Sequence, residues 1–172
     1  MASAYIEYFA VFAGLVAIGF AFLQRSAIKK APEGSQVMRD IAAAIRDGAY
    51  SYLSRQYLTI SAVALILLFA IGFFLNWTIA FGFLIGAAAS ALAGFIGMQT
   101  AVIANVRTAE AANHSISKAF LIAFRGGAVT GFLVVGLALS TTAFFWMLTR
   151  DLGALLGLGF GGSLISIFAR LG

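Results

Sequence analysis

The chain has 172 residues, 62% hydrophobic and 10% charged, with a formal charge of +5 and a mean hydropathy of +1.02. A soluble domain carries roughly 45–50% apolar and about 25% charged residues, so these charges are too sparse to cover a water-facing surface, whereas lipid needs no such cover. The basic excess sits between apolar runs rather than in an aromatic-interleaved patch, which argues against nucleic acid; with no cysteine and a single histidine, His114, the chain also lacks thiolate metal sites, cysteine nucleophiles and any multi-histidine metal site.

The first apolar run, residues 4–23, is preceded by no Lys or Arg, and Glu7 lies near its start. A cleavable signal has the opposite order of charge, and here the positive residues Arg25, Lys29 and Lys30 follow the run. The expectation is a retained helix with its N-terminus outside. Further runs near the roughly 20 residues that cross a bilayer occupy 58–75, 77–104, 126–148 and 152–172. They lack the alternation of barrel strands and must satisfy their own backbone hydrogen bonds, so all are expected to be helical. The fold class is therefore an all-α polytopic transmembrane bundle of about five helices, forming one domain over 1–172.

The segments between the spans carry an independent check on orientation. Residues 24–57 (Arg25, Lys29, Lys30, Arg39, Arg46, Arg55) and 105–125 (Arg107, Lys118, Arg125) are basic, while the other side shows only Arg150. Cytoplasmic loops retain Lys and Arg, so both basic segments are assigned to the cytoplasm. Within the first, Ala31-Pro32-Glu33-Gly34-Ser35 is a turn, Ser35 is a candidate cap, and 37–57 reads as an amphipathic helix with Met38, Ile41, Ala42, Ile45, Ala49, Tyr52 and Leu53 on one face. An extension of span two is favoured over a docking helix, and the Arg39-Asp40 and Arg46-Asp47 steps are read as solvation and local pairing.

Small residues recur at four-residue spacing at Gly82, Gly86, Ser90 and Gly94, again at Gly153, Gly157 and Gly161, and span four adds Gly127 and Gly131. Such stripes let helices approach closely, and tight packing explains them without a pore. The six acids, Glu7, Glu33, Asp40, Asp47, Glu110 and Asp151, form no buried carboxylate pair. There is no phosphate loop, zinc-protease motif or nucleophile elbow, and Gly157-Leu-Gly-Phe-Gly-Gly162 lies inside an apolar span rather than after a strand. His114 reads as an ordinary loop residue rather than a ligand. The exception is Arg170, in the fifth apolar run. A charge there costs about 2.5–3.5 kcal/mol on insertion scales and calls for a carboxylate or carbonyl partner, a cavity or an ion path. None of the six acids is clearly at its depth, so Arg170 either reaches the cytoplasmic interface or has its partner outside the chain. The fifth run shows no stop signal before Gly172, so the sequence reads as a truncated piece.

Four blocks then carry a resemblance. The stretch 41–49, Ile-Ala-Ala-Ala-Ile-Arg-Asp-Gly-Ala, with Arg55-Gln56-Tyr57 and Thr59-Ile60, is similar to the start of membrane-integral ion-translocating pyrophosphatases. Gly94-Phe-Ile-Gly-Met98, Ala104-Asn-Val-Arg-Thr-Ala109 and Ala123-Phe-Arg-Gly-Gly-Ala-Val-Thr-Gly131 follow in order, and the last block runs from Gly157 to Arg170. The resemblance is weak only in the first span and implies that the chain is about the first quarter of such a protein. Members are homodimeric pumps of the plasma (inner) membrane or of an acidic internal compartment. They hydrolyse pyrophosphate with Mg2+, some with K+, and move protons or sodium ions out of the cytoplasm. Residue by residue, Arg170 matches the family arginine of the ion gate and coupling region. No catalytic or metal-binding residue carries over, and Arg107 and Arg125 are expected to order loops. The piece alone is expected to be inactive. The alternative from another class is a non-enzymatic membrane subunit or channel component.

Overall fold

The computed structural model describes the backbone of residues 2–170 and the side chains of residues 5–167. Five helices follow one another: α1 (Ala2–Lys29), α2 (Gln36–Phe74), α3 (Trp77–Ala112), α4 (Ile116–Thr149) and α5 (Leu152–Arg170), with no strand among the described residues. α1 to α4 are each long and apolar enough to cross a membrane, and Leu152–Ile167 of α5 is a shorter apolar helix.

The joints are short, and side chains set them. Ser35 caps α2 by accepting from the Met38 amide at 3.4 Å, Asn76 caps α3 through Thr78 at 2.8 Å, and Asp151 accepts from the Gly153 amide at 2.8 Å at the start of α5. These oxygens satisfy amides that a helix start leaves unbonded. Gly34, at φ +82°, turns the α1–α2 connection, and Arg150 ends α4 in the left-handed region at φ 52°. The helices outrun the apolar spans read from sequence. The amphipathic stretch and span two form one unbroken 39-residue helix, about 58 Å long, so the stretch continues span two.

α3 is the hub and touches each of the other four helices; α1 packs mainly on α4, while among the described residues α1 and α2 flank α3 without touching each other. The small-residue stripes of α3 and α5 meet face to face. A Cβ on Gly82 or Gly86 would run into the carbonyls of Ala154 or Leu158, and one on Gly157 or Gly161 into those of Ile79 or Phe83. In a bilayer, where apolar burial gives helices no net drive to associate, this closeness supplies the packing. α1 and α4 meet the same way, since a Cβ on Gly136 would lie 2.7 Å from the Gly14 carbonyl oxygen. Gly127 and Gly131, the glycines expected to serve span four, have nothing within 4 Å; Gly126 and Gly136 face neighbours instead. Among the apolar cores that result are Ala21, Ile28, Ala104, Val129 and Leu133 between α1, α3 and α4, and Ile60, Ala87 and Ile165 between α2, α3 and α5.

Candidate functional site

Below the tight part of the α3–α5 seam the helices part. The α3 stripe changes role there: Gly82 and Gly86 press on α5 backbone, and from Gly86 through Ser90 to Gly94 the stripe lines a cavity of about 530 Å³ between α2, α3, α4 and α5. Thr130, Thr141 and Thr142 face it from α4, Ser163 and Ser166 from α5, and Tyr57 from α2. The Tyr57 hydroxyl donates to the Ala91 carbonyl at 2.8 Å and ties α2 to α3 at the cavity wall. Thr141 donates to the Leu137 carbonyl of its own helix at 2.6 Å, so its hydroxyl is satisfied locally. The lining is apolar with a scatter of hydroxyls, and Tyr52 and Tyr57 are its only titratable groups among the described residues. Such a lining can solvate a transient ion or water but offers neither an acid–base pair nor a nucleophile with a base.

Arg170 closes α5, and its side chain lies outside the described residues. Its backbone position still carries information. Positions 163, 166 and 170 stand at i, i+3 and i+7 on one helical stripe, and the first two line the cavity. Ile165 packs on Ala87, so position 170 comes about one turn further along α3, level with the Tyr57–Ala91 contact. The six carboxylates are all placed elsewhere. Glu7 and Asp151 stand at the opposite end of the bundle, Glu33 and Glu110 in or beside the connections at the basic end, and Asp40 and Asp47 on the exposed extension of α2. Among the described residues no group of three or more His, Asp or Glu side chains could hold a metal ion.

The remaining arginines fix the two ends. Arg107 of α3 is 9% exposed. It donates to the Ala31 carbonyl at 3.1 Å, to the Ile103 carbonyl at 2.8 Å and to Glu33 at 2.6 Å, and so clamps the α1–α2 connection against α3. At the other end Arg150 makes a two-point pair with Glu7, one arm at 2.7 Å, and stands 5.6 Å from the Trp146 ring centroid. The one cation expected outside is thereby neutralised by α1. His114 lies exposed in the α3–α4 turn, 3.2 Å from Glu110, in keeping with a loop residue. Sequence reasoning missed both long-range pairs, whose partners are 74 and 143 residues apart. It also missed the cavity, although the Ser163, Ser166, Arg170 spacing was visible.

Comparison with known proteins gives a consistent picture. The family described as inorganic H+ pyrophosphatase matches residues 15–172. A "K(+)-insensitive pyrophosphate-energized proton pump" of Methanosarcina mazei is 49% identical over 162 residues, which cover 93% of this chain and 24% of that protein. A second pump of the same description from Moorella thermoacetica is 42% identical, and a "putative K(+)-stimulated pyrophosphate-energized sodium pump" of Clostridium tetani is 41% identical, covering 92% and 95% of this chain and 24% of each relative. The chain thus spans about a quarter of the length of these relatives.

Proposed function

Because the chain belongs to the inorganic H+ pyrophosphatase family, we propose that it forms part of a primary pump that couples cytoplasmic pyrophosphate hydrolysis to outward movement of protons or sodium ions. The family match over residues 15–172 carries this reading. Hydrolysis, and the Mg2+ that accompanies it in such enzymes, belongs on this reading to residues outside this chain; K+ dependence, a homodimeric state and residence in the plasma membrane are proposed on the same family grounds.

In this proposal α2–α5 supply part of the ion path, and Arg170 is the gate and coupling residue. Two observations support it: position 170 continues the α5 stripe that lines the cavity, and the cavity lining holds no carboxylate among the described residues. A cation at that depth needs a counter-charge, which the rest of the protein must then supply. A carboxylate brought beside a guanidinium gives up its proton, and one drawn away regains it, because a nearby positive charge favours the ionised form. A small displacement of α5 would therefore switch proton or sodium affinity without chemistry inside this chain. The α3–α5 seam transmits such a displacement, since the two backbones touch directly.

The test is to express the full reading frame in membrane vesicles, add pyrophosphate, and follow phosphate release together with proton and sodium uptake. Both activities are expected, and the absence of both overturns the assignment. Arg170→Ala should lower ion uptake per pyrophosphate hydrolysed at least tenfold; unchanged coupling removes Arg170 from the path.

A further inference from the structure

A second, smaller cleft opens between α1 and α2, where the two helices flank α3 without meeting. Its volume is about 220 Å³, below the roughly 300–1,000 Å³ of sites for drug-sized ligands and suited to a compact group. Its rim carries Arg25 and Lys29 from α1 and Arg46 from α2, its floor is formed by Leu53, Met98 and Ile103, and its lining holds no carboxylate.

The charges of this cleft are uncompensated, unlike those of Arg107 and Arg150. Arg107 and Arg150 each hold a glutamate, whereas among the described residues Arg25, Lys29 and Arg46 are in no ion pair. Arg25 donates one arm to the neutral Gln99 side chain at 2.8 Å, and its Nε is buried with no hydrogen-bond partner among the described residues. Three converging cations repel one another, and a buried donor without an acceptor costs free energy, so the arrangement calls for an anion.

Depth says what kind. Trp77 opens α3 at the far end, and Gln99 lies 22 residues later, about 33 Å along the helix. A hydrocarbon core is about 30 Å thick, so with Trp77 at one interface the cationic rim stands at the opposite headgroup level, above an apolar floor that faces the same groove. Basic pockets between transmembrane helices suit lipid phosphates. We propose that this cleft is a binding site for the phosphate headgroup of an anionic phospholipid, with Arg25 and Arg46 as its principal ligands and Lys29 closing the rim. The site adjoins the larger cavity, with which it shares Leu53 and Met98, but its cationic rim belongs to the cleft alone, and it stands whether or not the pump assignment does.

The experiment uses the full-length protein in mild detergent, titrated with short-chain phosphatidylglycerol or phosphatidylcholine and read by native mass spectrometry alongside thermal unfolding. Phosphatidylglycerol should be retained in preference to phosphatidylcholine. The double variant Arg25→Gln, Arg46→Gln should bind it about thirtyfold more weakly, the expectation for two interfacial cations. Arg46→Lys, which keeps the charge, should bind within a few fold of the parent and guards against a fold defect. Arg39→Gln, on the exposed face of the same helix, should leave binding unchanged. Equal retention of phosphatidylcholine, or an equal loss in Arg39→Gln, overturns the proposal. Displacement of the lipid by millimolar inorganic phosphate or pyrophosphate assigns the cleft to a soluble anion and overturns the lipid as its source.

Discussion

Arg107 and Arg170 are both arginines in a chain with few charges, and their surroundings explain how differently they read from sequence. The family resemblance of its block suggested a loop-ordering role for Arg107; three acceptors now give it definite contacts, but Ala31 and Glu33 are 76 and 74 residues away and no local pattern announces them. Arg170 stands out by the cost of charge in an apolar run, and the stripe it shares with Ser163 and Ser166 follows from helical periodicity alone. The Arg107 clamp has a measurable worth. Arg107→Ala removes a buried cation from two carbonyls and one carboxylate and should destabilise the chain by about 1.5–3 kcal/mol, the range for hydrogen bonds to charged groups. Glu33 is 44% exposed, so Glu33→Gln should cost about 1 kcal/mol or less. Limited proteolysis should cut the 30–35 connection faster in the first variant than in the second, and equal rates would mean that Glu33 rather than the carbonyl bonds holds the turn.

Helices as units were legible because composition and span length leave few alternatives in lipid, and because Ser35 marks its own cap. Which glycine faces which helix was not legible, because spacing gives a stripe but not the neighbour's position. Gly127 and Gly131 share the spacing of true contact glycines yet face open space, while Gly136, one turn beyond Phe132, meets Gly14. The amphipathic face of α2 was similarly narrowed. Leu53 is buried, but Ile41 and Ile45 remain 57% and 51% exposed, since α3 covers only part of that face. The seam predicts opposite signs for the same substitution. Gly86→Ala drives a methyl into the Leu158 carbonyl and should cost at least about 1–3 kcal/mol, as overpacking does. Gly131→Ala meets nothing and should be neutral or stabilising by up to about 1 kcal/mol through helix propensity. Thermal unfolding in detergent of both variants checks the pair, and a loss at Gly131→Ala as large as that at Gly86→Ala would show that this face is covered by another part of the protein.

At the scale of the whole molecule the ends of the bundle are chemically unlike. One carries the Arg107 clamp, His114 and the unpaired cations of the α1–α2 cleft; the other carries the Glu7–Arg150 pair. Since cytoplasmic loops retain Lys and Arg, we expect the first end in the cytoplasm. No cysteine occurs in this chain, so His114→Cys and Leu75→Cys report on opposite faces when introduced singly into a protein otherwise free of accessible thiols. A membrane-impermeant thiol reagent applied to intact cells should label Leu75→Cys and spare His114→Cys, and the reverse pattern would invert the topology. The packing order also bears on how such a protein is made. Among the described residues α1 and α2 do not touch, so these two helices do not pair as a hairpin, and the seat at Gly14 stays empty until Gly136 has been synthesised 122 residues later. At about 5–20 residues per second that is an interval of about 6–24 seconds. During that time α1 must wait in lipid, or against the insertion machinery, with its contact face open.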